Sequence, residues 1–230
     1  SNAFTNLLSA VSASDPYTEL CVAQGVYKAG PERTNGFELK LGMTLYGGFK
    51  GQETMRNQRN PGAYLTALDG DIGEAGSYAD NAYHVVKCLS QNIVDGFIIR
   101  NGNADDSGSP NNGSGGGVYC VDTDSVISDC TITSNRASDY GGGARQGVYR
   151  NCRVENNHCS NNGGGGGGYA CTMQNCLIKD NVSATAPGGG VFLSICQSCG
   201  IVGTYAGFCG GGASGGTNQN CTIVANGALF

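Results

Sequence analysis

The chain of 230 residues has no tryptophan, only five prolines and two histidines, and charged residues make up just 13% of it. Its apolar runs do not exceed five residues. A bilayer-spanning helix needs about 20, so no transmembrane helix is expected. The formal net charge of −5 provides no basic stripe. Phosphate backbones are held by clustered Lys and Arg, so nucleic acid is not an expected partner. Proline is scarce beside 40 glycines, and the glycines fall in periodic clumps between apolar stretches, which argues against a disordered glycine-rich linker. Ser1, Asn2 and Ala3 read as the remnant of a cleaved affinity tag and are set aside. The absence of an export signal or lipid-anchor segment before residue 4 is therefore uninformative.

What is abundant is periodic. DGFIIRN (95–101), DCTITSN (129–135), NCRVENN (151–157), NCLIKDN (175–181), SCGIVGT (198–204) and NCTIVAN (220–226) repeat one pattern. Cys130, Cys152, Cys176, Cys199 and Cys221 are separated by 22, 24, 23 and 22 residues. That period is too short for a propeller blade and fits one turn of a β-solenoid, whose coils touch only their neighbours. The predicted fold is all-β, a right-handed parallel β-helix of about eight coils, in one domain over residues 4–230. The coils occupy 17–230. Residues 4–14 form a short capping helix, with Phe4, Leu7, Leu8 and Val11 at helical spacing.

Within a coil, Cys and the aliphatic two places on point inward, as period-2 alternation requires. The outward set is then Phe97, Thr131, Arg153, Leu177, Gly200 and Thr222. The same alignment puts Asn101, Asn135, Asn157, Asn181 and Asn226 on one corner ladder, where amides bond the coils above and below. Of the 12 cysteines, the five ladder members are expected as stacked free thiols. Strands lie about 4.8 Å apart, wider than the Cβ separation a disulfide wants. Cys21, Cys88, Cys120, Cys159, Cys171, Cys196 and Cys209 fall off the ladder, and pairing among them stays open. Glycine clumps at 115–117, 141–143, 163–168, 188–190 and 210–212 mark tight corners. Residues 101–115 form the one long polar excursion, a protruding loop.

The block Tyr46-Gly-Gly-Phe49, Gly51, Glu53-Thr54, Gln58-Arg59-Asn60-Pro61 and Leu68-Asp69-Gly70-Asp71-Ile72-Gly73 is followed by Asn81-Ala-Tyr-His-Val-Val86 and the Asn-Cys coils. Together these resemble secreted β-helix proteins related to polymorphic outer-membrane protein repeats, with a pectin-lyase-like fold. The resemblance covers nearly the whole chain. It implies an extracellular or outer-membrane location and commonly no assigned activity.

The functional expectation is a non-catalytic surface protein that binds polysaccharide or protein along an elongated face. Tyr140, Arg145, Tyr149, Arg153, Glu155 and Lys179 are the candidate contacts. A lyase or hydrolase acting on acidic polysaccharide is the alternative, and a structural spacer the second. For an enzyme the acids would be Asp95 and Asp129, expected in one register and so stacked at about 4.8 Å. Of the hydrolase hallmarks only an Asp-Asp pair is present, Asp105-Asp106, and no His-Gly element occurs. No cofactor is expected. Calcium at Asp105 and Asp106 is the one metal alternative, without EF-hand spacing. Asp122 and Asp124 are read as solvated. Cys196-x-x-Cys199 is expected on opposite sides of its strand by parity, which argues against zinc. Gly212-Ala-Ser214-Gly-Gly216 matches a nucleophile elbow by chance, since no Asp or His follows.

Overall fold

A computed structural model describes residues 4–109, 111–161 and 163–229. The chain winds as a right-handed parallel β-helix. Four all-parallel sheets of eight, seven, eight and six strands run its length. Each full coil contributes four short strands, illustrated by Val118–Cys120, Val126–Ser128, Thr131–Thr133 and Arg136–Ala137. These belong to what we term the first, second, third and fourth sheets, in chain order around the coil.

Corners between strands repeat as faithfully as the strands. Asp129, Asn151, Asn175, Ser198 and Asn220 all take φ between 50° and 54°, with Gly96 at 81°, at the turn from second to third sheet. Left-handed backbone costs an ordinary residue roughly 1–2 kcal/mol, less for Asn and Asp, which explains the Asx residue that opens each repeat. Leu193, at φ 50° on another corner, has no such relief.

The first copy of the repeat is offset by one residue from the predicted alignment. Ile98 pairs with Thr131 and Ile99 with Ile132, so Asp95 stands beside Ser128 and not Asp129. Gly96 takes the left-handed corner, and Phe97 fills the inward slot occupied by Cys130 in the next coil. Phe97 is therefore buried, not outward, and Ile99 rather than Ile98 is the core residue. Asn101 moves with them off the ladder, and Gly102 takes the position before Asn135. The stacked Asp95–Asp129 pair does not form.

The remaining ladder is bonded from Asn135 through Asn181 and again between Thr204 and Asn226. The Asn135 backbone N–H and side-chain Nδ2 both donate to Asn157 Oδ1, at 3.0 and 3.1 Å. Asn157 donates in the same two ways to Asn181 Oδ1, each at 3.0 Å. Asn226 Oδ1 receives the Thr204 N–H at 2.9 Å. Each Asn Nδ2 also reaches a strand carbonyl of the coil before, as Asn157 does to Ile132 at 2.9 Å. The thiols behave alike: Cys152 donates to the Ile127 carbonyl and Cys176 to that of Tyr149, at 3.4 and 3.5 Å. All 12 cysteines are free. Neighbouring thiols, Cys152 foremost, and burial raise Cys176 far above the ordinary thiol range.

Cys196 departs from parity. It is fully buried, because the left-handed bend at Ser198 lets both Cys196 and Cys199 face the core. The inward row of the second sheet runs Leu45, Val94, Ile127, Tyr149, Met173 and Cys196. At the glycine clumps a flat backbone is obligatory: a Cβ on Gly142 would collide with the carbonyl oxygens of His158 and Gly166.

The N-terminal helix, Leu7–Ala13, is capped by Asn6, whose side chain accepts from the Ser9 N–H at 3.1 Å. It buries Leu7, Ala10 and Val11, whereas Phe4 is 59% exposed, so the helix starts later than the spacing predicts. At the other end, Ile223 continues the inward row of Ile201 but is 44% exposed, because no coil stacks upon it.

Replacing Asn157 by Ala removes hydrogen bonds on both sides of one coil and orphans buried partners. It should lower stability by about 3 kcal/mol, read as a shift of the urea midpoint. Leu193→Asn should raise stability by about 0.5 kcal/mol, read as a rise of the same midpoint, since an amide residue tolerates the left-handed corner.

Candidate functional site

The inward rows are alike from coil to coil, and the outward rows are not. On the first sheet the core positions are Val86, Val118, Ala144, Gly168 and Val191. Their alternation partners form an outward row of Lys87, Tyr119, Arg145, Tyr169, Phe192 and Ser214. Tyr140 joins from the preceding corner, bridged to Ser114 and Gly164. The Tyr140 and Tyr169 ring centroids lie 4.3 Å apart, and those of Tyr169 and Phe192 5.9 Å. The Arg145 guanidinium lies 4.7 Å from the centroid of the Tyr119 ring. Three aromatic faces and one cation thus share a strip that follows the helix axis. Tyr140 is 37% exposed, and Tyr169 and Phe192 are half-buried by each other.

Beside this strip lies His84, buried, its ring 4.7 Å from that of Tyr119. Its Nδ1 is 3.0 Å from the Gly115 carbonyl oxygen, which can only accept, so Nδ1 carries the proton. Burial, against the effect of that hydrogen bond, pushes the imidazole from its ordinary 6.5 down to about 4, with Lys87 and Arg145 adding to the shift.

The predicted contacts are dispersed. Tyr140 and Arg145 lie on the aromatic strip. Tyr149 is fully buried in the second sheet's inward row, between Ile127 and Met173, which removes it from any surface. Arg153, Glu155 and Lys179 lie on the third sheet, which is not adjacent to the first around the coil. There Glu155 and Lys179 are register neighbours, and Arg153 pairs with Glu155 at 2.7 Å.

The predicted acids have separate fates. Asp95 Oδ1 pairs with Arg59 Nη2 at 2.6 Å, and its Oδ2 accepts from the Ser128 hydroxyl at 2.8 Å. Both oxygens are engaged. Asp129, at an exposed corner, lines a groove of about 530 Å³ with Arg59, Arg153, Asn151, Leu65 and Ile98. A strap of residues 50–65 roofs its upper end, with Pro61 lying against Gly48 and Gly96. Sequence reasoning missed Arg59 as Asp95's partner, since nothing periodic marks the strap.

Residues 101–115 protrude less than expected. Asn103–Ala104 is a strand of the fourth sheet and Ser114 bridges to Tyr140, so the excursion is confined to 105–113, with Pro110 outside the described residues. Asp105 pairs with Arg33 at 2.6 Å and accepts from Asn103 at 2.9 Å; Asp106 receives Asn112 at 3.4 Å. These contacts tie the excursion's base to the coil. Among the described residues no three His, Cys, Asp or Glu side chains converge as a metal set. Asp124 is not merely solvated: it accepts from the Gln91 N–H and the Ser90 hydroxyl, which hold its carboxyl below the usual range.

Comparison of the chain with protein-family models, curated proteins and solved structures returns no match. The architecture itself is that of a parallel β-helix: the described residues form four parallel sheets of short strands, with an N-terminal α-helix and one 3₁₀ turn. No helix among the described residues is long and apolar enough to cross a membrane.

The fold holds His84 uncharged, so stability should be complete above pH 6.5 and decline as pH falls toward about 4. The shift corresponds to about 3 kcal/mol at the acid limit. Urea midpoints across that window should show the decline in the natural chain and a flatter profile in His84→Gln.

Proposed function

We propose that this is an exported surface protein that binds glycan, without turnover, along the aromatic strip of its first sheet. The observation that carries the reading is the stack of Tyr169 and Phe192 in one outward row with Tyr140 against Tyr169 from the preceding corner. Pyranose rings present apolar C–H faces that stack on flat aromatic surfaces, and a rigid row spares the entropy of ordering mobile side chains. Coil spacing of about 4.8 Å lets an extended saccharide meet successive rings. Arg145 beside the strip supplies hydrogen-bond donors for hydroxyl or carboxylate groups. The extracellular location and the kinship with polymorphic outer-membrane repeats rest on the sequence resemblance alone.

A second reading, a lyase or hydrolase of acidic polysaccharide, draws on the groove that gathers Arg59, Arg153 and Asp129 beside Asp95. It is the weaker reading, because an acid whose two oxygens are both committed is poorly placed to exchange protons.

Titration calorimetry against a panel of neutral and acidic oligosaccharides should find a ligand. Tyr169→Ala should weaken it about tenfold, as expected for loss of a stacked aromatic pair, while Arg153→Ala on the third sheet leaves it unchanged. No reducing ends or unsaturated products should appear in the same mixtures. Products that vanish in Asp129→Asn would replace this reading with the enzymatic one.

A further inference from the structure

A second polar site lies at the turn from the third to the fourth sheet, independent of the glycan reading. Tyr78 belongs to the excursion of residues 70–85 and is fixed at both ends. Its backbone carbonyl accepts from Asn103 Nδ2 at 2.8 Å, and its hydroxyl donates to the Ser134 carbonyl at 3.2 Å. The Arg136 guanidinium lies over this ring, its Cζ 3.7 Å from the centroid. Arg136 points outward because Ala137, next along the strand, is the buried one, and His158 is its register neighbour in the following coil.

Tyr78, Ser134, Arg136, Asn156 and His158 line one cavity of about 200 Å³. Cavities for drug-sized ligands run from about 300 Å³ upward, so this one suits a single small group rather than a sugar ring. Among the described residues Arg136 has no carboxylate partner and no side-chain hydrogen bond, whereas Arg33, Arg56, Arg59, Arg100 and Arg153 are each ion-paired. With its face occupied by Tyr78, the guanidinium keeps its N–H edge free. Among charges on the neighbouring segments, Lys179 pairs with Asp180 at 3.2 Å, Glu155 with Arg153 at 2.7 Å, and Asp105 with Arg33 at 2.6 Å.

We propose that this pocket binds a tetrahedral oxyanion, of the kind carried by sulfate and phosphate groups. The anion sits between the Arg136 edge and the His158 imidazole, with the Asn156 amide and the Ser134 hydroxyl as further donors. An Arg fork matches two oxygens of such a group, and a hydrogen bond to a charged partner is stronger than a neutral one. Burial, then the Arg136 charge, lowers the His158 imidazole below its ordinary range. A bound anion offsets the second cause, so binding should tighten as pH falls and His158 becomes charged.

The test follows the two histidine imidazoles by NMR while sodium sulfate or phosphate replaces chloride at constant ionic strength. His158 should shift to saturation and titrate at a higher pH, while His84 stays put. Arg136→Gln should weaken binding about tenfold or more, and Arg136→Lys less, because the charge remains. A His158 response that does not saturate, or that survives unchanged in a folded Arg136→Gln protein, overturns the proposal. Glucose 6-sulfate and glucose 6-phosphate form the second arm: tighter binding than the inorganic ions identifies an ester as the ligand, and equal binding identifies the free anion.

Discussion

Everything in this molecule hangs on one constraint: each coil must present to the next the same backbone, in register, at the spacing of a parallel strand pair. A coil cannot bury its own apolar edge, so stability comes from neighbours, and any device that fixes register is repeated along the axis. The Asn ladder is such a device. One side-chain oxygen receives two donors from the coil before, and the amide nitrogen reaches back to a strand carbonyl. A one-residue slip would break these bonds together and turn core residues outward.

The same constraint shapes the composition. Narrow corners need left-handed backbone, so Asn, Asp, Ser and Gly take those positions, while the glycine clumps lie where a Cβ would strike a carbonyl of the neighbouring sheet. The interior is slim, and small thiols fill it well. Burial foremost raises the Cys130 and Cys171 thiols above the ordinary range, which makes these two packing elements rather than nucleophiles.

A scaffold so repetitive leaves function to whatever is not repeated. The outward rows differ from coil to coil, and two excursions, residues 50–65 and 70–85, fold back over the early coils. The first brings Arg59 to Asp95 and forms the rim of a groove; the second brings Tyr78 beneath Arg136. The aromatic strip arises differently, from Tyr169 and Phe192 occupying one outward position in successive coils, with Tyr140 beside them.

The period of the Cys and Asn positions was enough to give the fold class, the coil number, the inward aliphatics and the ladder from Asn135 to Asn226. Those positions face the same surroundings in every coil, so the same chemistry recurs and is visible as a pattern. Register in the first copy was not legible, because Gly96 and Phe97 there divide between them the corner and the inward slot that an Asx and a Cys fill elsewhere. Nor was the burial of Tyr149 and Cys196: parity counted along a strand fails across a left-handed corner, which turns the chain by a residue. The partners of Asp95, Arg136 and His84 were decided only in three dimensions. Each depends on an excursion or a neighbouring coil some 30 to 60 residues away in sequence, brought into contact by the winding of the helix and marked by no local signal.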